Sequence, residues 1–245
     1  MRKTLITIFV MAVIAGCGHS SSTDSDNGNN TNQGGNQTPL VTAAQLSGGS
    51  LVYWFGTCSS MASMGAATVN MSYDTTFAFH NDGTYNYTVN VYSDTACGTA
   101  GGGTFFTYNM SGNYMMGAAA TGVTGATQIS FSRSSELLTV YSHSTVGASS
   151  WAGYLNSYCT GGATPAFNTT TDSAQDPFGF VCAHSGTAPV FTFPNFPNSN
   201  AASYNVVSLN TTASPQTITM SLPADLWFPG NPSYPASASF TLTHQ

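Results

Sequence analysis

From Tyr73 to Tyr92 apolar and polar side chains alternate with a period of two. Phe77 and Phe79 share one face, and Asn81-Asp82-Gly83 then interrupts the run with turn chemistry. Beyond it Tyr85, Tyr87, Val89 and Val91 alternate with Asn86, Thr88 and Asn90. Alternation on both sides of an Asp-Gly turn predicts an antiparallel hairpin. A second hairpin is expected over residues 128–142, with Ile129 and Phe131 on one arm and Leu138 and Val140 on the other. Arg133 and Glu136 would flank its tip, where an exposed ion pair contributes little.

Further strands are expected over 50–57, 104–115, 151–158, 190–193, 204–209, 217–222 and 236–243, nearly all separated by turn residues. No window carries a sustained helical period. Residues 160–175 lack apolar periodicity and read as a long loop. Residues 193–198, Phe-Pro-Asn-Phe-Pro-Asn, read as another, because proline cannot donate to a ladder. Roughly nine short strands in one domain of ~200 residues predict an all-β antiparallel barrel or sandwich with a sizeable core.

The first residues follow different rules. Met1-Arg2-Lys3 is basic, and an apolar run extends from Leu5 to Ala15, broken only by Thr7. That run is shorter than the ~20 residues a membrane-spanning helix needs, and its flanks suit a signal peptide. It ends in Ile14-Ala15-Gly16-Cys17, which resembles the lipobox of bacterial lipoproteins. The resemblance implies cleavage before Cys17, acylation of Cys17 and a lipid anchor to a membrane. Two or more acyl chains anchor stably, whereas one binds marginally. Gly18, rather than Asp, follows the cysteine, which by the same resemblance favours the outer membrane of the bacterial envelope. Residues 1–16 are thus expected to be a signal peptide. Residues 17–40, free of aliphatic side chains from Gly18 to Pro39, form the lipidated cysteine and a flexible tether, and 41–245 the β domain. A tether of that length reaches on the order of 25 Å.

Loss of the signal peptide removes Arg2 and Lys3, leaving Arg133 as the single basic side chain against nine acidic ones. Nucleic acid is excluded as a partner, because that binding scales with the number of Lys and Arg contacts. Adhesion to anionic lipid through a basic patch is excluded likewise. Charged residues are 5% of the chain, far below the ordinary share, so solubility rests on Ser, Thr, Asn and Gly.

With Cys17 acylated, Cys58, Cys97, Cys159 and Cys182 remain, an even number that reads as two disulfides in an exported protein. Three connectivities are open. Pairing Cys58 with Cys97 and Cys159 with Cys182 brackets one local run of strands each. No two cysteines have the close spacing of a zinc site.

The order of elements resembles small bacterial lipocalin-like lipoproteins. The matching residues are Leu46, Gly48, Trp54 and Cys58, then Phe79-His80-Asn81-Asp82-Gly83-Thr84-Tyr85, then Tyr92-Ser93-Asp94-Thr95-Ala96-Cys97, then Gly112-Asn113-Tyr114. They cover about the first half of the domain. The resemblance implies an up-and-down barrel of about 8–10 strands with two disulfides, and a small hydrophobic ligand held in its interior. The sequence departs from the lipocalin pattern at two places. Trp54 lies several residues past Gly49 rather than in Gly-x-Trp, and the last strand lacks the expected arginine.

Candidate chemistry is sparse. His80, His143, His184 and His244 are scattered, and no Gly-x-Ser-x-Gly elbow occurs. Asp172 and Asp176 share a loop but lack the ligand run of a calcium site. Methionines cluster as Met61 and Met64, which have the M-x-x-M spacing of Cu(I) sites, and as Met110, Met115 and Met116, although methionine more often fills irregular apolar space. The expectation is therefore no enzyme, no cofactor and no metal. The chain reads as a membrane-anchored exported lipoprotein binding a small hydrophobic ligand. The alternative is a structural or surface-interaction lipoprotein with a packed barrel.

Overall fold

The computed structural model describes residues 40–60, 71–98, 103–146, 149–160, 166–177, 179–183, 189–192, 202–221 and 233–244, all within the unit Asn36–Gln245. The period-two runs become eight main strands. These are β1 (Leu51–Gly56), β2 (Ser72–His80), β3 (Thr84–Tyr92), β4 (Thr104–Ala119), β5 (Thr127–Val140), β6 (Ala202–Asn210), β7 (Thr217–Met220) and β8 (Phe240–His244). Each pairs antiparallel with its neighbours in this order, and β1 pairs with both β2 and β8. The sheet therefore closes into an eight-stranded antiparallel barrel. Closure removes the sheet edges that would otherwise invite pairing with other chains.

The β2–β3 hairpin follows the expected register, with Phe79 opposite Tyr85 and Phe77 opposite Tyr87. Asp82 fixes its turn by accepting the Thr84 amide at 2.9 Å and hydroxyl at 2.6 Å. Gly83 then takes φ 83°, a conformation that costs glycine nothing for want of a Cβ.

Residues 128–142 do not form a hairpin. Thr127–Val140 is one continuous strand, and its polar stretch from Ser132 to Glu136 carries a bulge instead of a turn. Ser111 faces Ser135 and Gly112 faces Arg133, which leaves Ser134 as the extra residue. Gly112 makes this possible, since a Cβ there would lie 1.8 Å from the Ser132 carbonyl oxygen. The bulge also turns the Arg133–Glu136 pair inward, so it is buried rather than exposed.

Two helices appear where none was expected. α1 (Ala43–Ser47) opens on a capping box, in which Thr42 and Gln45 bond each other's backbone amides, and it stops at left-handed Gly48. α2 (Trp151–Tyr158) replaces the expected strand. Its aromatics suit a strand by propensity, but Trp151 and Leu155 stand four apart and bury one helical face, while Ser150 accepts the Gly153 amide at 3.1 Å. Short strands Ser173–Gln175, Val181–Ala183 and Pro189–Thr192 add local pairing. The first of these falls in the stretch read as loop and pairs with the end of β5.

Cys58 and Cys97 form a disulfide with Cα atoms 5.8 Å apart. The backbone register sets Cys159 opposite Cys182. Residues 193–198, Met61, Met64, His184 and everything before residue 40, Cys17 included, lie outside the described residues.

Candidate functional site

Register decides which side chains enter the barrel. Trp54, Phe77, Tyr87, Met110 and Glu136 stand in successive register pairs or on the same face, as do Phe79, Tyr85, Tyr114 and Phe131. These residues are buried, and their rings meet across the lumen. Phe131 of β5 lies 6.0 Å from Phe77 and 6.4 Å from Phe79, both on β2, and 5.0 Å edge-on from Tyr85. One continuous apolar cluster runs from Leu46 of α1 through the lumen to Trp151 and Leu155 of α2. At the α1 end, the Trp54 indole donates to the Leu46 carbonyl at 3.0 Å, and its ring lies 5.4 Å from His244 of β8. Among the described residues, buried side chains from opposite walls meet in the lumen.

A polar cluster sits within that filling. Arg133 pairs with Glu136, and the Tyr108 hydroxyl donates to Glu136 Oε2 at 2.6 Å. Burial raises the Glu136 carboxyl above its ordinary range, while Tyr108 and Arg133 pull it down. The same desolvation pushes the Tyr108 hydroxyl well up. Tyr85 is buried close by, and its hydroxyl has no protein partner among the described residues. The cluster satisfies a buried charge.

The outer wall is different. Side chains that point away from the lumen on β1–β5 line up in two rows across the strands. One row runs Tyr53, Ala78, Asn86, Ser111, Ser135, each opposite the next. The second runs Phe55, Thr76, Thr88, Asn109, Leu137. In both rows large side chains stand on β1 and small or medium ones between, and Leu137 closes the far side. The short side chains make a trough, with His80 at one end, and the enclosed volume is about 470 Å³. That lies within the range of small-molecule sites. Tyr53 (47% exposed) and Leu137 (43%) form its walls.

Hydrogen bonds pin the trough. The Thr88 hydroxyl donates to Asn109 Oδ1 at 2.9 Å, the Ser111 and Ser135 hydroxyls meet at 2.8 Å, and Asn86 Nδ2 meets His80 Nε2 at 3.1 Å. These contacts leave Asn109 Nδ2 and Asn86 Oδ1 without a protein partner among the described residues. Beyond the trough, Asp74 accepts from Asn90 Nδ2 at 2.9 Å and the Tyr92 hydroxyl at 2.8 Å. No Asp, Glu, Lys or Arg lines the trough.

The remaining sequence candidates disperse. Asp172 accepts the Ser142 amide at 2.7 Å, which lowers its carboxyl, whereas the charge of Asp176 bears on Glu136. His143 stacks on Tyr141, and the His244 ring lies tilted at 45° to Trp54. Met110 is buried and Met115 is 71% exposed, on opposite faces of β4. Among the described residues no three His, Cys, Asp or Glu side chains come together as a metal site would require. The trough itself was missed in the sequence, where Asn86 and Thr88 served only as the polar half of an alternation. Its signal lies in pairing register, which no single strand carries.

No protein-family model matches the chain, and no curated protein matches it by sequence. A barrel alone does not define an activity, so the function must be read from these surfaces.

Proposed function

We propose that the protein is a lipid-anchored, exported interaction module whose barrel is a solid scaffold and whose binding surface is the outer wall of β1–β5. The carrying observation is the contrast between the two faces of the same strands. Inward side chains fill the lumen from α1 to α2, while outward ones leave a pinned trough free of Asp, Glu, Lys and Arg. A ligand inside the lumen would have to displace rings already in mutual contact, so the surface-interaction reading is preferred to the interior apolar ligand.

The envelope address rests on the lipobox-like Ile14-Ala15-Gly16-Cys17, the tether after it and the Cys58–Cys97 bridge, which suits an oxidising compartment. A second bridge between Cys159 and Cys182 is part of the proposal, supported by their facing register. A lipocalin-like lineage is supported by the up-and-down order and by Trp54 beneath the N-terminal helix. The last strand carries no arginine, and His244 there pairs with Trp54.

The test has two arms on the full chain in a bacterial host. Palmitate-analogue labelling should mark the protein, and Cys17→Ala should lose both label and membrane association. Purified lipidated protein should bind envelope material, and Ser111→Trp, which stands an indole in the trough, should abolish that binding without lowering the unfolding midpoint. Unchanged binding by Ser111→Trp contradicts the surface assigned here.

A further inference from the structure

We infer that the trough on the outer wall binds a neutral carbohydrate chain, with one sugar ring laid on Tyr53. This rests on the surface-interaction reading above and adds to it the chemistry of the ligand.

Three observations carry it. The first is charge. The chain has nine acidic residues, yet the trough is lined by amides, hydroxyls, one histidine and apolar groups, without Asp, Glu, Lys or Arg. An anionic or cationic ligand would lose its hydration shell there and gain no counter-charge. A neutral polyhydroxyl ligand exchanges water for amide and hydroxyl partners at no such cost.

The second is the pairing of an open aromatic face with fixed polar groups. Tyr53 is exposed, and Phe55 two residues along β1 supports it at a centroid distance of 6.3 Å and 31°. A tyrosine offers an apolar face and a polar edge at little entropic cost, which suits the mixed faces of a pyranose. Beside it, Thr88 holds the Asn109 amide in one orientation and His80 holds that of Asn86. Their unpaired atoms, Nδ2 and Oδ1, supply one donor and one acceptor in fixed positions. Such pre-organisation removes part of the ordering cost of binding.

The third is dimension. Successive strands are about 4.8 Å apart, so polar side chains recur at that spacing from β3 to β5 in one row (Asn86, Ser111, Ser135) and from β2 to β4 in the other (Thr76, Thr88, Asn109). A repeating ligand, bonded again at each strand, fits such a surface better than a single compact molecule.

The test uses full-length lipidated protein in detergent micelles. The probes are short neutral oligosaccharides (cello-, malto- and chito-oligosaccharides), with oligogalacturonate and a heparin fragment as charged controls. At least one neutral series should bind saturably, with affinity rising with chain length and little dependence on salt. Tyr53→Ala should weaken it at least about tenfold and Tyr53→Phe should keep it. Asn109→Ala provides a second variant, expected to weaken binding about threefold to tenfold. Binding of the charged controls alone overturns the inference, as does neutral-sugar binding unaffected by both Tyr53→Ala and Asn109→Ala. If no sugar binds but Ser111→Trp still abolishes envelope binding, the carbohydrate inference fails and the surface reading stands. If envelope binding also survives Ser111→Trp, both fail.

Discussion

The Phe131 ring of β5 meets the Phe77 ring of β2 at 6.0 Å, spanning a barrel whose connecting strands β3 and β4 lie between them. Two side chains from such separated strands touch only where the lumen holds no free space between them. The contact thereby ties closure of the barrel to packing of its core. Phe131→Ala should cost about 3–5 kcal/mol in denaturant unfolding, the range for removing a large ring from a close-packed interior. A loss below about 1 kcal/mol would indicate slack around the ring, as in a ligand-holding barrel.

The buried tyrosines should respond in opposite ways. Tyr108→Phe removes a 2.6 Å hydrogen bond to the Glu136 carboxylate and should cost about 2 kcal/mol. Tyr85→Phe removes a hydroxyl with no protein partner among the described residues, and should be neutral or mildly stabilising, within about 1 kcal/mol. Thermal unfolding of the two variants side by side checks the contrast.

Glu136 gives the stability a pH dependence of definite sign. Burial raises its folded pKa above the ordinary 4.5, so the folded state holds this proton more tightly than the unfolded chain. Its favourable contribution is present below pH 4.5 and is lost as pH rises through the raised value. Arg133→Met removes the cation opposing that shift. It should destabilise by about 3 kcal/mol near neutral pH, with a smaller loss in acid, where Glu136 takes up a proton. Unfolding midpoints measured across the acid range read the slope directly.

Asp94 acts in the other direction. The Gly98 and Ala96 amides hold its carboxyl below the ordinary 3.8, fixing the turn that leads to Cys97. The stability it contributes is present above that value and disappears as pH falls through the lowered one. Asp94→Asn should therefore flatten the acid limb of the stability profile while leaving the Glu136 slope in place.

The bridge beside that turn closes 39 residues of sequence separation. Replacing Cys58 and Cys97 together by Ser should cost about 3–4 kcal/mol, in line with loop-closure entropy. Peptide mapping without reduction should also recover a Cys159–Cys182 fragment. Free thiols at both positions would contradict that proposed pair.

Much of the barrel was legible because the half-buried strands obey a period of two. Tyr85, Tyr87, Val89 and Val91 face inward as their alternation requires. Legibility failed where local chemistry and tertiary context diverged. The polar run from Ser132 to Glu136 looks like a turn, yet it crosses the barrel wall as a bulged strand, because Gly112 opposite leaves room and Tyr108 satisfies the buried carboxylate. Trp151 to Tyr158 has strand-like composition, but its apolar residues bury against Phe105 and Phe106 on a helical face. The trough was invisible for a further reason. Tyr53, Ala78, Asn86 and Ser111 are distant in sequence and become neighbours only through the register of four strands.

A barrel whose lumen belongs to its own side chains, on a chain processed to Cys17, holds no small molecule inside. Native mass spectrometry of the protein purified from a bacterial host and sprayed from detergent tests this most directly. The account predicts the mass of the chain from Cys17 onward plus its acyl groups, unchanged when the protein is unfolded. An additional small molecule that leaves only on unfolding, or a chain still beginning at Met1, would contradict it.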